Sequence, residues 1–200
     1  MAAKLWFFYG CMGSSKSMNA LAIRHNYIDK GKKVAFLKPQ IECRDGEKVI
    51  RSRSGTEAKC EFVEEFLCRD LQEREYDVII VDECQFLSRE QVDKLSDIAD
   101  FLNIPVRCYG LRTDFQGNLF EGSARLFELA DEIEVFRTIC WCGEEAQINA
   151  RISDGHIVHD GAQVEMGGDD SYMPLCRRHF KQGKISREWK KSVRNLADFS

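Results

Sequence analysis

The chain has 200 residues, with 29 Lys and Arg against 33 Asp and Glu, a net charge of −4 and nine cysteines. That acidic balance argues against a nucleic-acid binder, which needs a concentrated basic surface, and no apolar run approaches the length of a membrane span. Met-Ala-Ala-Lys opens no signal peptide, so the expected compartment is cytoplasmic; there a high, odd cysteine count points to metal ligation before disulfides.

The first predicted element is an apolar strand, Leu5 to Tyr9, that stops at Gly10. The loop Gly10-Cys11-Met12-Gly13-Ser14-Ser15 then leads into a helix opened by Lys16 and Ser17. Backbone N–H groups of such a loop, with the positive end of the helix dipole, cradle phosphate. Lys16 would reach the outer phosphates and Ser17 would hold Mg²⁺. Ser15 stands where the G-x-x-x-x-G-K-[ST] pattern has its second glycine, and a Ser-rich turn capping an ordinary helix is the competing reading. The helix runs over 15–31, with Leu21, Ile23, Tyr27 and Ile28 on one side and Gly31 as its C-cap. Val34 to Leu37 form a second strand, closed by Pro39. Residues 40–60 read as polar and irregular; their Arg44, Arg51 and Arg53 either fold over a phosphate-bearing ligand or line a solvated loop.

A charged helix is expected over 61–76. The next strand, Val78 to Val81, is a run of four β-branched residues ending in Asp82 and Glu83, as suits a buried parallel strand whose C-terminal edge faces a ligand. Asp82 would place Mg²⁺, and Glu83 would accept a proton from an attacking hydroxyl. Adjacent carboxylates also cap strands in solvent, a reading that weakens once a phosphate loop precedes them. Ser88 and Gln91 form a capping box, with Val92, Leu95, Ile98, Ala99 and Leu102 at helical spacing behind it. A strand at 106–111, a helix at 120–131 and a strand at 133–136 complete a βα alternation. The order predicts an α/β fold over 1–137, a P-loop NTPase-like parallel sheet flanked by helices.

Beyond residue 137 the pattern changes. Cys140 and Cys142, then Cys176 and His179, make a Cys₃His set for structural zinc; buried thiols with a surface histidine are the alternative. Closing the chain between these pairs costs on the order of 3 kcal/mol, and a structural zinc supplies about 10–16 kcal/mol. Residues 150–173 show no sustained periodicity and read as an irregular lid clamped at its base. The expected units are 1–137, a zinc-ribbon-like unit with its lid at 138–180, and a basic helical tail at 181–200.

Six strings carry a family resemblance: Tyr-Gly-Cys-Met-Gly-Ser-Ser-Lys-Ser at 9–17, Leu-Lys-Pro at 37–39, Val-Asp-Glu-Cys-Gln-Phe-Leu at 81–87, Tyr-Gly-Leu-Arg-Thr-Asp-Phe at 109–115, Cys-Trp-Cys-Gly at 140–143 and Cys-Arg-Arg-His at 176–179. On these the chain resembles the P-loop, zinc-containing thymidine kinases of vertebrate cytosol, bacteria and phages. The resemblance implies transfer of the ATP γ-phosphate to the 5′-hydroxyl of thymidine or deoxyuridine in pyrimidine salvage. It implies Glu83 as proton acceptor, Lys16 and Ser17 on the ATP phosphates and Mg²⁺, and Asp82, Glu83, Cys84 and Gln85 bordering the nucleotide. Met12, Phe86, Leu111, Phe115 and Phe120 would line the nucleoside pocket, closed by Tyr172 and by backbone groups of Gln163, Val164, Glu165, Met166 and Gly167. Phe86 and Phe120 are equally readable as plain core. Arg44 and Arg53 match arginines of the family's loop, with Glu42 where aspartate is usual. A homotetramer inhibited by thymidine triphosphate is implied too, with no nucleic-acid or membrane partner. The chain departs from the family at Gly13 and Ser15, and two other readings stay open: a nucleotide-binding paralogue whose turnover Ser15 has weakened, and a nucleic-acid-dependent ATPase that uses the zinc ribbon.

Overall fold

A computed structural model describes residues 2–42, 48–69, 71, 75–161, 163 and 171–186. Five parallel strands form the main sheet's body: β1 (Leu5–Tyr9), β2 (Val34–Lys38), β6 (Val78–Val81), β7 (Val106–Gly110) and β8 (Glu132–Val135). They are connected through α1 (Lys16–Asp29), α3 (Arg89–Leu102) and α4 (Glu121–Leu129). The intervening β3 (Val49–Arg51), β4 (Glu57–Lys59), β5 (Glu61–Phe62) and α2 (Val63–Leu67) complete this part of the chain. The main sheet has six strands in the order β5-β2-β6-β7-β1-β8, all parallel.

Strand alternation sorts the two cores. Leu5, Phe7, Ile79 and Val81 pack on one face with Val92, Leu95 and Leu126 of α3 and α4. Phe8, Val78, Ile80 and Tyr109 pack on the other with Ala20 and Leu21 of α1. Because both faces are covered, all four residues of β6 are fully buried, and a central strand reads as a continuous apolar run. The Ser88 capping box forms as its spacing requires: Ser88 Oγ accepts from Gln91 N at 3.3 Å and Gln91 Oε1 accepts from Ser88 N at 2.9 Å.

Four local expectations are corrected. The irregular stretch at 40–60 contains the β3–β4 hairpin, whose members are only three residues long and too short to show a period. The helix expected over 61–76 shrinks to five residues, because Glu61–Phe62 pairs with β2 first. Ile28 faces solvent, while Leu21 is buried and Ile23 and Tyr27 are partly so. The described residues of 150–173 lie largely in a second, antiparallel sheet, ordered β10 (His156–Val158), β9 (Ile148–Ser153), β11 (Ser171–Leu175) and followed by the short α5 (Arg177–Lys181). Periodicity missed β9 because both its faces are buried: Ala150 and Ile152 enter the small core, while Asn149 and Arg151 are buried on the opposite side. The tail helix expected at 181–200 lies mostly outside the described residues. Among the described residues no helix is long and apolar enough to cross a membrane.

Candidate active site

The loop between β1 and α1 closes at the C-terminal edge of the sheet. Gly10 has no alternative there: a Cβ would stand 2.1 Å from the Phe136 carbonyl oxygen and 2.7 Å from Ser14 Oγ. Gly13 and Ser15 both take left-handed backbone, φ 76° and 65°. Ser15 therefore occupies the conformation a glycine would adopt, at a strain of about 1–2 kcal/mol for an L residue. Glycine adds about 0.5–1 kcal/mol of lost chain entropy, less than the strain it relieves. Ser15→Gly is accordingly expected to raise stability by about 0.5–1 kcal/mol, read from urea denaturation; a loss would show that the serine side chain holds the loop.

Lys16 is buried, and its ammonium donates to the carbonyls of Gly10 at 2.9 Å and Cys11 at 3.0 Å and to Ser14 Oγ at 3.3 Å. Burial lowers its pKa, opposed by the charges of Glu83 and Asp82, so loop and carboxylates share one electrostatic site. At the end of β6, Asp82 is buried and accepts from the Ser17 hydroxyl and the Glu83 N–H. Burial, then the charge of Glu83, push its carboxyl up to about 7, against the pull of Ser17, the Glu83 N–H and Lys16. A raised acid pKa means the folded chain holds a proton that the unfolded chain releases near 3.8. That stability is fully present below about pH 4 and is lost as pH rises through about 7. Urea denaturation of the zinc-loaded, magnesium-free protein should therefore show Asp82→Asn gaining on the parent between those limits; a pH-independent difference would refute the shift.

Glu83 follows in left-handed backbone, φ 54°. Its Oε2 accepts from Gln85 Nε2 at 2.6 Å, and Gln85 Oε1 accepts from Leu111 N at 3.0 Å. Gln85 thus ties Glu83 to the end of β7. The close fit needs Gly110, where a Cβ would stand 2.6 Å from Gln85 Oε1 and 2.7 Å from Cys84 Sγ. Cys84 itself is fully buried among apolar core residues.

Around this edge, Leu111, Phe115 and Phe120 are buried, while Met12, Phe86 and Tyr172 are partly exposed. Phe86 and Phe120 meet edge to face at 5.6 Å. Tyr172 pairs with Arg151 across β11 and β9, so both side chains share a sheet face. The Arg151 guanidinium lies 5.2 Å from the Phe115 ring centroid. Arg53 reaches the phosphate loop, with Nη1 3.6 Å from the place of a Cβ on Gly13. Gln163 Nε2 donates to Asp114 Oδ2 at 3.0 Å, and Asp114 Oδ1 accepts from the backbones of Gln116 and Asn118. Val164, Glu165, Met166, Gly167 and Arg44 lie outside the described residues. Sequence reasoning missed Arg151 and Asp114. The signals were an arginine amid the short apolar run of β9, and an Asp three residues before Gly117 in a turn.

The small sheet docks on the phosphate loop: Met12 N donates to Asn149 Oδ1 at 2.8 Å, and Cys11 Sγ lies 3.6 Å from the Ala146 carbonyl oxygen. At the same end of the sheet, beyond the Ile148–Leu175 pair, the ligand atoms of Cys140, Cys142, Cys176 and His179 lie within 4.8 Å of one another. Nδ1 of His179 is 3.5 Å from Cys140 Sγ and from Cys176 Sγ, and the sulfurs of Cys142 and Cys176 are 3.9 Å apart. Tetrahedral zinc requires edges of about 3.8 Å between sulfurs and about 3.6 Å between sulfur and imidazole nitrogen. The donor set fits zinc in chemistry and in spacing. Trp141 stacks on the His179 ring at 4.2 Å.

The family described as thymidine kinase matches residues 3–180. The thymidine kinase of Pasteurella multocida is 42% identical over 189 residues, covering 90% of this chain and 97% of its own. That of Rhodopirellula baltica is 41% identical over 192 residues, covering 92% and 91%. That of Lactobacillus acidophilus is 39% identical over 198 residues, covering 92% and 100%.

Proposed function

The chain belongs to the thymidine kinase family, and we infer from that membership, with the site's geometry, how it transfers phosphate from ATP to thymidine. The observation that supports the mechanism best is the joining of Lys16, Asp82 and Glu83 at one sheet edge, with Glu83 held by Gln85.

In this reading Gly10 to Ser17 wrap the ATP phosphates and Lys16 exchanges its loop carbonyls for phosphate oxygens. The residues suited to Mg²⁺ are Ser17 and Asp82: a buried carboxylate already bonded to a hydroxyl is a hard-oxygen pair short of positive charge. When bound, Mg²⁺ neutralises charge on the transferring phosphoryl group. Met12, Phe86, Leu111, Phe115, Phe120 and Tyr172 hold the nucleoside, with the backbone of 163–167 reading its base. Glu83 takes the 5′-hydroxyl proton as that oxygen forms its bond to the γ-phosphorus and the bond to the ADP oxygen breaks.

Deoxyuridine is the expected second acceptor, and thymidine triphosphate an inhibitor spanning both subsites. The homotetramer carried by resemblance has a candidate contact in β8, an edge strand whose four residues are all exposed, Ile133 and Val135 among them. The units 1–137, 138–180 and 181–200 and a cytoplasmic location complete the proposal. A coupled assay on zinc-loaded protein should record ADP production that depends on thymidine and Mg·ATP. Intact fold and bound zinc without thymidine-dependent ADP would overturn it.

A further inference from the structure

A cavity of about 210 Å³ lies where the phosphate loop meets the zinc-bearing sheet, walled by Gly10 and Cys11, by the end of β8 and by Ala146 to Asn149. In the strand order β6-β7-β1-β8 it opens on the β8 side of the loop, whereas Asp82 and Glu83 leave β6 on the other side. Three arginines reach it: Arg112, Arg137 and Arg177. Arg137 pairs with Glu145 at 3.3 Å. The other two converge on one neutral residue: Arg112 Nη2 donates to the Gln147 backbone carbonyl at 3.3 Å, and Arg177 Nη2 to Gln147 Oε1 at 2.8 Å. Two guanidiniums brought together by neutral oxygens repel each other, and each retains further N–H donors. A dianion offering an oxygen pair to each fork would relieve that repulsion; a carboxylate has one such edge, a tetrahedral oxyanion several. The volume falls below that of pockets for drug-sized ligands and suits a small anion.

We propose that this cavity is a second anion site, taking a small tetrahedral oxyanion of the phosphate class between Arg112 and Arg177. Its wall, Gly10 and Cys11, supplies the two carbonyls that hold Lys16, so the occupant bears on the loop from behind.

The test titrates zinc-loaded full-length protein by calorimetry with inorganic phosphate and, separately, with glycerol 3-phosphate. Mg·ADP and thymidine monophosphate are present at saturation to fill the loop and acceptor pocket. One equivalent of inorganic phosphate is expected to bind, at least fivefold more weakly in Arg177→Gln and without measurable heat in the Arg112→Gln, Arg177→Gln double variant. Arg177 is exposed on α5, so its single variant decides the matter if the double variant fails to fold. Binding of the ester as well assigns the site to phosphoryl groups of small metabolites, and binding of the free ion alone to inorganic phosphate. No heat from either probe overturns the proposal. Affinity unchanged in Arg177→Gln also overturns it, whatever the state of the catalytic site, because that arginine belongs to the cavity alone.

Discussion

Glu83→Gln is expected to lower turnover by about 10²–10⁴-fold while the Michaelis constants for thymidine and ATP change little. The amide matches the carboxylate in size and keeps the contact with Gln85, but cannot accept the 5′-hydroxyl proton. Phosphoryl transfer depends chiefly on alignment and charge neutralisation, so the loss falls on the chemical step and leaves binding intact. The Gln85 bridge to Leu111 holds this carboxylate in place. Gln85→Ala removes that bridge and keeps the base, so its turnover should lie between parent and Glu83→Gln. Steady-state kinetics of the three proteins decide the point. A Glu83→Gln enzyme within tenfold of the parent in turnover, or one whose defect lies entirely in the Michaelis constants, would show that another group takes the proton.

Removing the metal ranks second. Cys176→Ser, or prolonged chelation, should abolish the fold of β9, β10 and β11 and with it thymidine phosphorylation, while the six-stranded sheet survives. Among the described residues the small core has six buried members, Cys140 and Cys176 among them, too little to order its own chain. A structural zinc contributes about 10–16 kcal/mol of apparent binding free energy, against roughly 3 kcal/mol for closing the intervening chain. Because Asn149 bonds Met12 N, unfolding of the small sheet also releases the phosphate loop on that side. Limited proteolysis should cut between 143 and 175 only in the stripped protein, and the near-ultraviolet signal of Trp141, stacked on His179, should collapse. Retained protection and full activity after verified zinc loss would refute a structural role for the metal.

Several features were legible before any coordinates. The β-branched run of β6 ends in two carboxylates because a strand buried on both faces must be apolar until it reaches the edge where a ligand sits. Ser88 and Gln91 announced the start of α3 through local chemistry alone. The four zinc ligands were readable as residue types, since few roles suit cysteines and histidine so grouped.

Other features waited for the fold. The conformation of Ser15 is a property of its backbone, and the residue alone does not reveal that it stands in for glycine. The β9 strand hid its period because its second buried face is polar, with Asn149 turned to the phosphate loop and Arg151 to Phe115. Gln85 reads as one more residue near a nucleotide until the register of β7 brings Leu111 N within reach.

The sequence by itself determined the chemical parts: a candidate phosphate loop, a pair of carboxylates, a Cys₃His set suited to zinc and the alternation that makes a parallel sheet. Those follow from local rules, in which residue type and near-neighbour spacing carry the physics. Only the tertiary structure decided how the parts face one another. The Gln85 strut under Glu83, the docking of Asn149 on Met12 and the meeting of Arg112 with Arg177 at Gln147 join residues far apart in the chain. Their energies depend on distance and burial, which exist only once the sheets have packed.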